Sequence, residues 1–131
     1  MWVQSVRGTS GVVASGHSLA SLEGISVLRD GGNAIDAAVA AGAVLSVTRP
    51  AACGMGGDTF MIIYDAASRS LHGLNGSGAS PAATTFDQFS GEMPRHGMLL
   101  SSVPGMLGGW QAALERFGTR SLNQLIEPAI R

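Results

Sequence analysis

Residues Ala34 to Val47 carry Ala37, Ala38, Ala40, Ala41, Gly42 and Ala43, so a helix there is small-sided nearly all the way round. A helix apolar on every side is buried on more than one face, and small side chains let its neighbours approach closely. One helix of this kind already demands a layered core. The rest of the composition agrees: 45% of the 131 residues are hydrophobic, 5% aromatic and 13% charged. Disordered chains are poor in apolar residues and rich in net charge, so disorder is excluded. The formal charge is −1, no Lys occurs, and the eight Arg residues are spread singly. No basic patch for nucleic acid or an anionic membrane can be read from that.

The elements around this helix follow from local signals. Gly11-Val12-Val13-Ala14-Ser15 reads as a buried strand. Ser18 is positioned to cap a helix through about Asp30, closed by Gly31-Gly32. Asn33 caps the small-sided helix, and Asp36 in its first turn suits the positive end of the helix dipole. Arg49-Pro50 stops it. Thr59–Tyr64 reads as a buried strand and Ser70–Asn75 as its hairpin partner. A short helix is expected from about Thr85, with Phe86 and Phe89. Pro104 suits the first position of a helix through Phe117, closed by Gly118. Ser121 caps a last helix that Pro128 interrupts. Helices first and a hairpin after give an α+β class with helices against a mainly antiparallel sheet. The pattern stops at Ile130-Arg131 without a closing turn, which reads as an incomplete domain over residues 1–131.

Two glycine turns flank the hairpin, Gly54-Met55-Gly56-Gly57-Asp58 and Gly76-Ser77-Gly78-Ala79-Ser80-Pro81. Successive backbone N–H groups in such turns form anion sites or oxyanion holes, and equally serve as plain tight turns. Neither has the Lys and Ser/Thr of a P-loop or the third spaced Gly of a dinucleotide fold. His17, His72 and His96 lie far apart, with no second ligand at metal-binding spacing. Cys53 is a lone thiol, read as buried rather than reactive, and gives no sign of an oxidising compartment. Asp58 and Asp65 bracket one strand, either as an acid–base pair or, more simply, as a turn cap and a loop opener. Ala37–Val47 is too short for a membrane span of ~20 residues. Met1–Ser10 shows no signal-peptide pattern, which favours the cytoplasm. The chemistry of the residues alone gives no catalytic constellation.

Taken in order, these segments resemble the N-terminal part of the γ-glutamyltransferase family. The resemblance rests on Gly11–His17, on Leu28-Arg29-Asp30-Gly31-Gly32-Asn33-Ala34 through Asp36-Ala37-Ala38, and on Cys53-Gly54-Met55-Gly56-Gly57-Asp58-Thr59-Phe60. It continues through Leu74–Pro81, Val103-Pro104-Gly105, Gly109-Trp110, Arg116-Phe117-Gly118 and Leu125–Ile130. It implies an N-terminal nucleophile hydrolase, an αββα sandwich of which only the N-terminal portion is present. Members are made as a precursor that cuts itself into large and small subunits. The new N-terminal Thr of the small subunit is the nucleophile and, through its own amine, the base. The implied partners are that small subunit and a small-molecule amide such as glutathione, with no cofactor, metal, nucleic acid or membrane span.

For the site, the resemblance implies that Asn75, Ser77, Gly78 and Ala79 line the substrate. Gly54, Gly56 and Gly57 form a turn beside the nucleophile, at the inner end of the hairpin. Family members place an Arg just before the Ala-Pro that follows the second hairpin strand, the natural fork for an α-carboxylate. Asn75–Pro81 contains none. That wording is closer to the γ-glutamyltransferase-like branch, which includes amide hydrolases and acylases of other substrates. The chain alone is expected to be inactive. A non-catalytic structural module is the reading from another class.

Overall fold

The computed structural model describes residues 5–89 and 91–131. The first helix, α1, spans Ser18–Arg29, and the small-sided helix, α2, spans Ala34–Thr48. The N-cap of α1 is His17 and not Ser18: its Nδ1 accepts the Leu19 N–H at 3.3 Å. At the other end Gly31 takes φ +84°, and the N–H groups of Gly31 and Gly32 return to the Leu28 and Val27 carbonyls. Only a left-handed residue allows that double closure, and glycine adopts it without strain.

Asn33 caps α2 as expected. Its Oδ1 accepts the Ile35 and Asp36 N–H groups at 2.8 and 3.1 Å, and Asp36 Oδ2 accepts the Asn33 N–H at 2.8 Å. This reciprocal box is local and legible. The same carboxylate has a second task that is not. Asp36 is fully buried and also accepts the Thr119 N–H, the Thr119 hydroxyl and the Arg120 N–H at 2.9, 2.6 and 3.2 Å. Asn33 Nδ2 donates to the Phe117 carbonyl at 2.6 Å, and the Arg120 guanidinium donates to the Asp30 carbonyl. Burial by itself raises the Asp36 pKa. The Thr119 hydroxyl and the three N–H donors outweigh it and hold the carboxyl below its ordinary value.

That anchor fixes the turn between α3, Met106–Phe117, and α4, Leu122–Ile130. Ser121 and Gln124 cap α4 reciprocally. Pro128 does not interrupt it: the ring lies in the last turn, where it removes a single N–H from the ladder. α2 packs on α1 and α4, with Ala20, Ala41 and Val44 at the centre and Leu45 and Ala129 against them. Gly24 makes the α1–α2 approach possible, since a Cβ there would lie 2.9 Å from Val13 Cγ1 and 3.2 Å from the Ala37 carbonyl.

The chain forms two compact units, one of the residues up to Gly54 with Gln111–Arg131, the other of Met55–Trp110. The second is built on an antiparallel hairpin of β1, Thr59–Asp65, and β2, Ser70–Gly76, in register from Thr59–Gly76 to Asp65–Ser70. Asp65 closes its turn by accepting the Ala67 and Ser68 N–H groups and the Ser68 hydroxyl, and Arg69 takes φ 54°. The Ser68 hydroxyl above all holds the Asp65 carboxyl below its ordinary value. Helices and hairpin make the chain α+β, as its sequence indicates, with one two-stranded sheet among the described residues.

Several expectations need correction. β1 is not a buried strand: Ile63 is buried, but Phe60 is 68% and Ile62 83% exposed, because no layer of the described residues covers that face. Gly11–Ser15 is not a strand here, since none of the described residues pairs with its backbone. Pro104 does not open α3. The helix starts two residues later, where the Gly57 carbonyl takes the Gly105 and Met106 N–H groups. The expected helix at Thr85 is a single 3-10 turn, Phe86–Phe89.

Candidate functional site

The register settles where the two glycine turns lie. Thr59 pairs with Gly76, so Gly57-Asp58 and Ser77-Gly78 both extend from the open end of the hairpin, opposite the Asp65–Ser70 turn. Residues 102–109 run across that end. The Gly57 carbonyl accepts from Gly105 and Met106 at 3.1 and 2.9 Å, and Ser102 Oγ donates to Asp58 Oδ1 at 3.0 Å. Asp58 and Asp65 therefore serve opposite ends of β1, and the acid–base pairing of the two is ruled out.

Glycine is required at this crossing for a steric reason. A Cβ on Gly78 would sit 1.6 Å from the Val103 carbonyl oxygen, and one on Gly105 2.2 Å from that of Gly76. Gly109 and Gly76 both abut Thr59 Cγ2, at 2.3 and 2.6 Å from the Cβ each lacks. Real carbon–oxygen contacts lie well beyond these distances, so three backbone segments touch here only because side chains are missing. The Val103-Pro104-Gly105 and Gly109 signals were visible in the sequence, but their partners across the hairpin were not.

Gly54 and Gly56 differ. A Cβ on either meets nothing within 4 Å, and neither has a left-handed φ. The packing of this chain gives no reason for glycine at these two positions. Gly57 is half-buried at the crossing, and Gly54 belongs to the helical unit. In the second turn, Asn75 is exposed at the end of β2 and its Oδ1 accepts the Ser77 N–H at 3.0 Å. Ser77 and Ala79 are exposed, and Gly78 is half-buried under Val103. Among Gly76–Ala79, side chains are thus displayed at 77 and 79 alone.

The remaining candidates have structural roles or none. His17 caps α1, and Cys53 is a half-buried free thiol. Among the described residues no cluster of His, Cys, Asp and Glu is placed to hold a metal ion, and no helix is long and apolar enough to cross a membrane.

The chain as a whole has known counterparts. The family model described as gamma-glutamyltranspeptidase matches residues 20–131. The chain belongs to the γ-glutamyltranspeptidase family. The glutathione hydrolase proenzyme of Bacillus subtilis (strain 168) is 42% identical over 132 residues, covering 95% of this chain and 22% of that protein. The solved γ-glutamyltranspeptidase of Helicobacter pylori has a TM-score of 0.87 at 39% identity, over 97% of this chain and 38% of the other. A cephalosporin acylase from Bacillus halodurans has a TM-score of 0.77 at 37% identity, over 86% of this chain and 22% of the other. These γ-glutamyltranspeptidase-family neighbours place the chain in the N-terminal nucleophile hydrolase fold, of which it spans about a fifth to two fifths by length.

Proposed function

We propose that this chain is the leading part of the large subunit of a γ-glutamyltranspeptidase-type amidohydrolase or acyltransferase. The nucleophilic Thr lies outside these residues, at the N-terminus of a small subunit cut from the same precursor. Its hydroxyl adds to the amide carbonyl while its amine takes the hydroxyl proton and passes it to the departing amine. Water or an amino acid then accepts the acyl group from the ester. This chain supplies a wall of the site: the Gly54–Gly57 turn beside the nucleophile, and Asn75, Ser77, Gly78 and Ala79 along the substrate. The observation that supports the reading is that residues 102–109 contact both Gly57 and Gly76–Gly78 at one end of the hairpin.

A second reading concerns substrate alone. Asn75–Pro81 holds no Arg, and the likeness extends to a cephalosporin acylase, so an acyl group without an α-carboxylate suits this wall. A bidentate charged contact contributes roughly 1.5–3 kcal/mol, or about 10- to 100-fold in rate or affinity. The test is a chimera in which this chain replaces the aligned N-terminal stretch of the Bacillus subtilis proenzyme. It should cut itself into two subunits and hydrolyse γ-glutamyl-p-nitroanilide about 10- to 100-fold more slowly than the parent. Ala79→Arg should recover part of that loss. A folded chimera that never self-cleaves would defeat the proposal. Parental activity indifferent to positions 77 and 79 would defeat the second reading.

A further inference from the structure

The two glycine turns are not held to residues 102–106 in the same way. Three hydrogen bonds tie that segment to the first turn. The Gly105 and Met106 N–H groups donate to the Gly57 carbonyl at 3.1 and 2.9 Å, and Ser102 Oγ donates to Asp58 Oδ1 at 3.0 Å. To the second turn it is joined by close packing. Among the described residues no backbone hydrogen bond links 102–106 to 76–79. Instead the Val103 peptide lies under Gly78, and the Cβ that Gly105 lacks would stand 2.2 Å from the Gly76 carbonyl oxygen and 2.9 Å from the Gly78 nitrogen. All of these residues belong to one unit, Met55–Trp110.

That asymmetry gives the coupling a direction. Two of the three bonds use backbone groups and would form with nearly any side chains. The Asp58–Ser102 bond is the one that side chains choose, and its ionised acceptor makes it stronger than a neutral pair. Both residues are half-buried, which limits competition from water. Pro104 confines Val103 to extended backbone, so the peptide beneath Gly78 moves with Ser102. Gly78 has no slack against that peptide. Freeing Ser102 therefore frees Gly78, and with it the side chains displayed at 77 and 79. We infer that Asp58 and Ser102 are positioning residues: their hydrogen bond is a clasp through which the first glycine turn sets the place of Ser77 and Ala79 along the substrate. This rests on the reading that Ser77 and Ala79 line the substrate, and adds what holds them there.

The chimera carries the test, with kinetics on γ-glutamyl-p-nitroanilide. Ser102→Ala should raise KM about 10-fold and hold kcat within about 2-fold, since the clasp places the wall and does not touch the nucleophile. Ser102→Thr keeps the hydroxyl and Asp58→Asn keeps an acceptor oxygen, so both should stay near the parent. Asp58→Ala should match Ser102→Ala, and the double variant should be no worse than either. Asp58→Asn as damaging as Asp58→Ala would mean that the charge acts on the substrate directly, and would overturn the clasp. So would a KM unmoved by Ser102→Ala, or a loss of kcat that tracks a lowered melting temperature. With self-cleavage and hydrolysis present, those outcomes leave the enzymatic reading standing. If the folded chimera never cuts itself, that reading falls and hydrogen exchange of the uncut chain judges the clasp. There Ser102→Ala should speed exchange of the Gly76–Ala79 amides about 10-fold or more, although that turn has no backbone bond to the crossing segment. Faster exchange at Gly105 and Met106 alone would be local loosening, and would refute the inference.

Discussion

The turn between α3 and α4 and the open end of the hairpin solve opposite problems. At the first, one buried carboxylate gathers four donors from Asn33, Thr119 and Arg120, and a single side chain ties the start of α2 to the α3–α4 turn. At the second, segments meet because side chains are absent: Gly76, Gly78, Gly105 and Gly109 let bare backbone cross bare backbone. Polar satisfaction locks one place and steric omission the other. The helical unit buries Ala20, Val39, Ala40 and Ala43 completely, whereas the hairpin leaves Phe60, Ile62, Tyr64 and Leu71 exposed. The difference separates a region held by a buried polar anchor from one whose apolar face is exposed among the described residues.

The largest expected effect comes from testing that contrast. The isolated chain should give no amide hydrolysis at all and should self-associate on size exclusion. The Ser102 and Thr119 hydroxyls are taken up by the Asp58 and Asp36 carboxylates, and the Ser15 hydroxyl by Ser21 and the His17 carbonyl. The exposed hairpin face has the character of an interface or an aggregation site. A monomeric, active fragment would erase the contrast between the two regions.

Next in size is the carboxylate. Asp36→Asn turns one acceptor oxygen into an NH2 group facing N–H and O–H donors, and should cost about 3 kcal/mol, measured by denaturant melts. Because the folded Asp36 pKa is depressed, its contribution is present above the ordinary carboxyl range and is lost as pH falls through the folded value. Acid melts of the chain should therefore steepen below about pH 4, where unfolded aspartates protonate, and the Asp36→Asn variant should lack that component. Stability of the variant equal to the parent at pH 7 would mean the junction is held by packing alone.

What could be read from the sequence divides along the same line. The Asn33–Asp36 box spans four residues and the Gly31-Gly32 closure reaches back only to Val27, and local signals sufficed. Thr119 donates to Asp36 from 83 residues away, and nothing near either residue announces the other. The hairpin and its two glycine turns were legible, but their reason was not. Gly78 reads as a turn former, and only the Val103 carbonyl beneath it shows that it is a contact. Gly11–Ser15 had strand propensity and no partner to realise it. The Arg missing from Asn75–Pro81 was legible at once, because composition needs no fold. Local codes are read within a few residues; pairings between distant segments are not.

At the crossing, Gly78→Ala should be costly although it adds one methyl group. The Cβ would overlap the Val103 carbonyl oxygen, and residues 102–106 must move, with loss of the Gly57 hydrogen bonds. Overpacking of this kind costs typically 1–3 kcal/mol. Urea melts that register the hairpin unit should show it. An unchanged midpoint would mean that the crossing is loose and that its glycines serve only as turns.

The smallest stability effect is expected at Gly56, and it is the most informative. A Cβ there meets nothing within 4 Å and the backbone is not left-handed, so Ala fits without strain. Replacing glycine at such a site removes unfolded-state freedom, and stability should be unchanged or higher by up to about 1 kcal/mol. The fold of this chain therefore has no use for glycine at position 56. If the turn borders the nucleophile, the missing side chain makes room for substrate or for the small subunit, and Gly56→Ala in the self-cleaving chimera should depress amide hydrolysis while leaving melting intact. Gly78→Ala should do the reverse in order, disturbing the fold first and activity only through it. A Gly56→Ala chimera with full hydrolysis would remove the turn from the site. One that melts early would return it to the scaffold with Gly78.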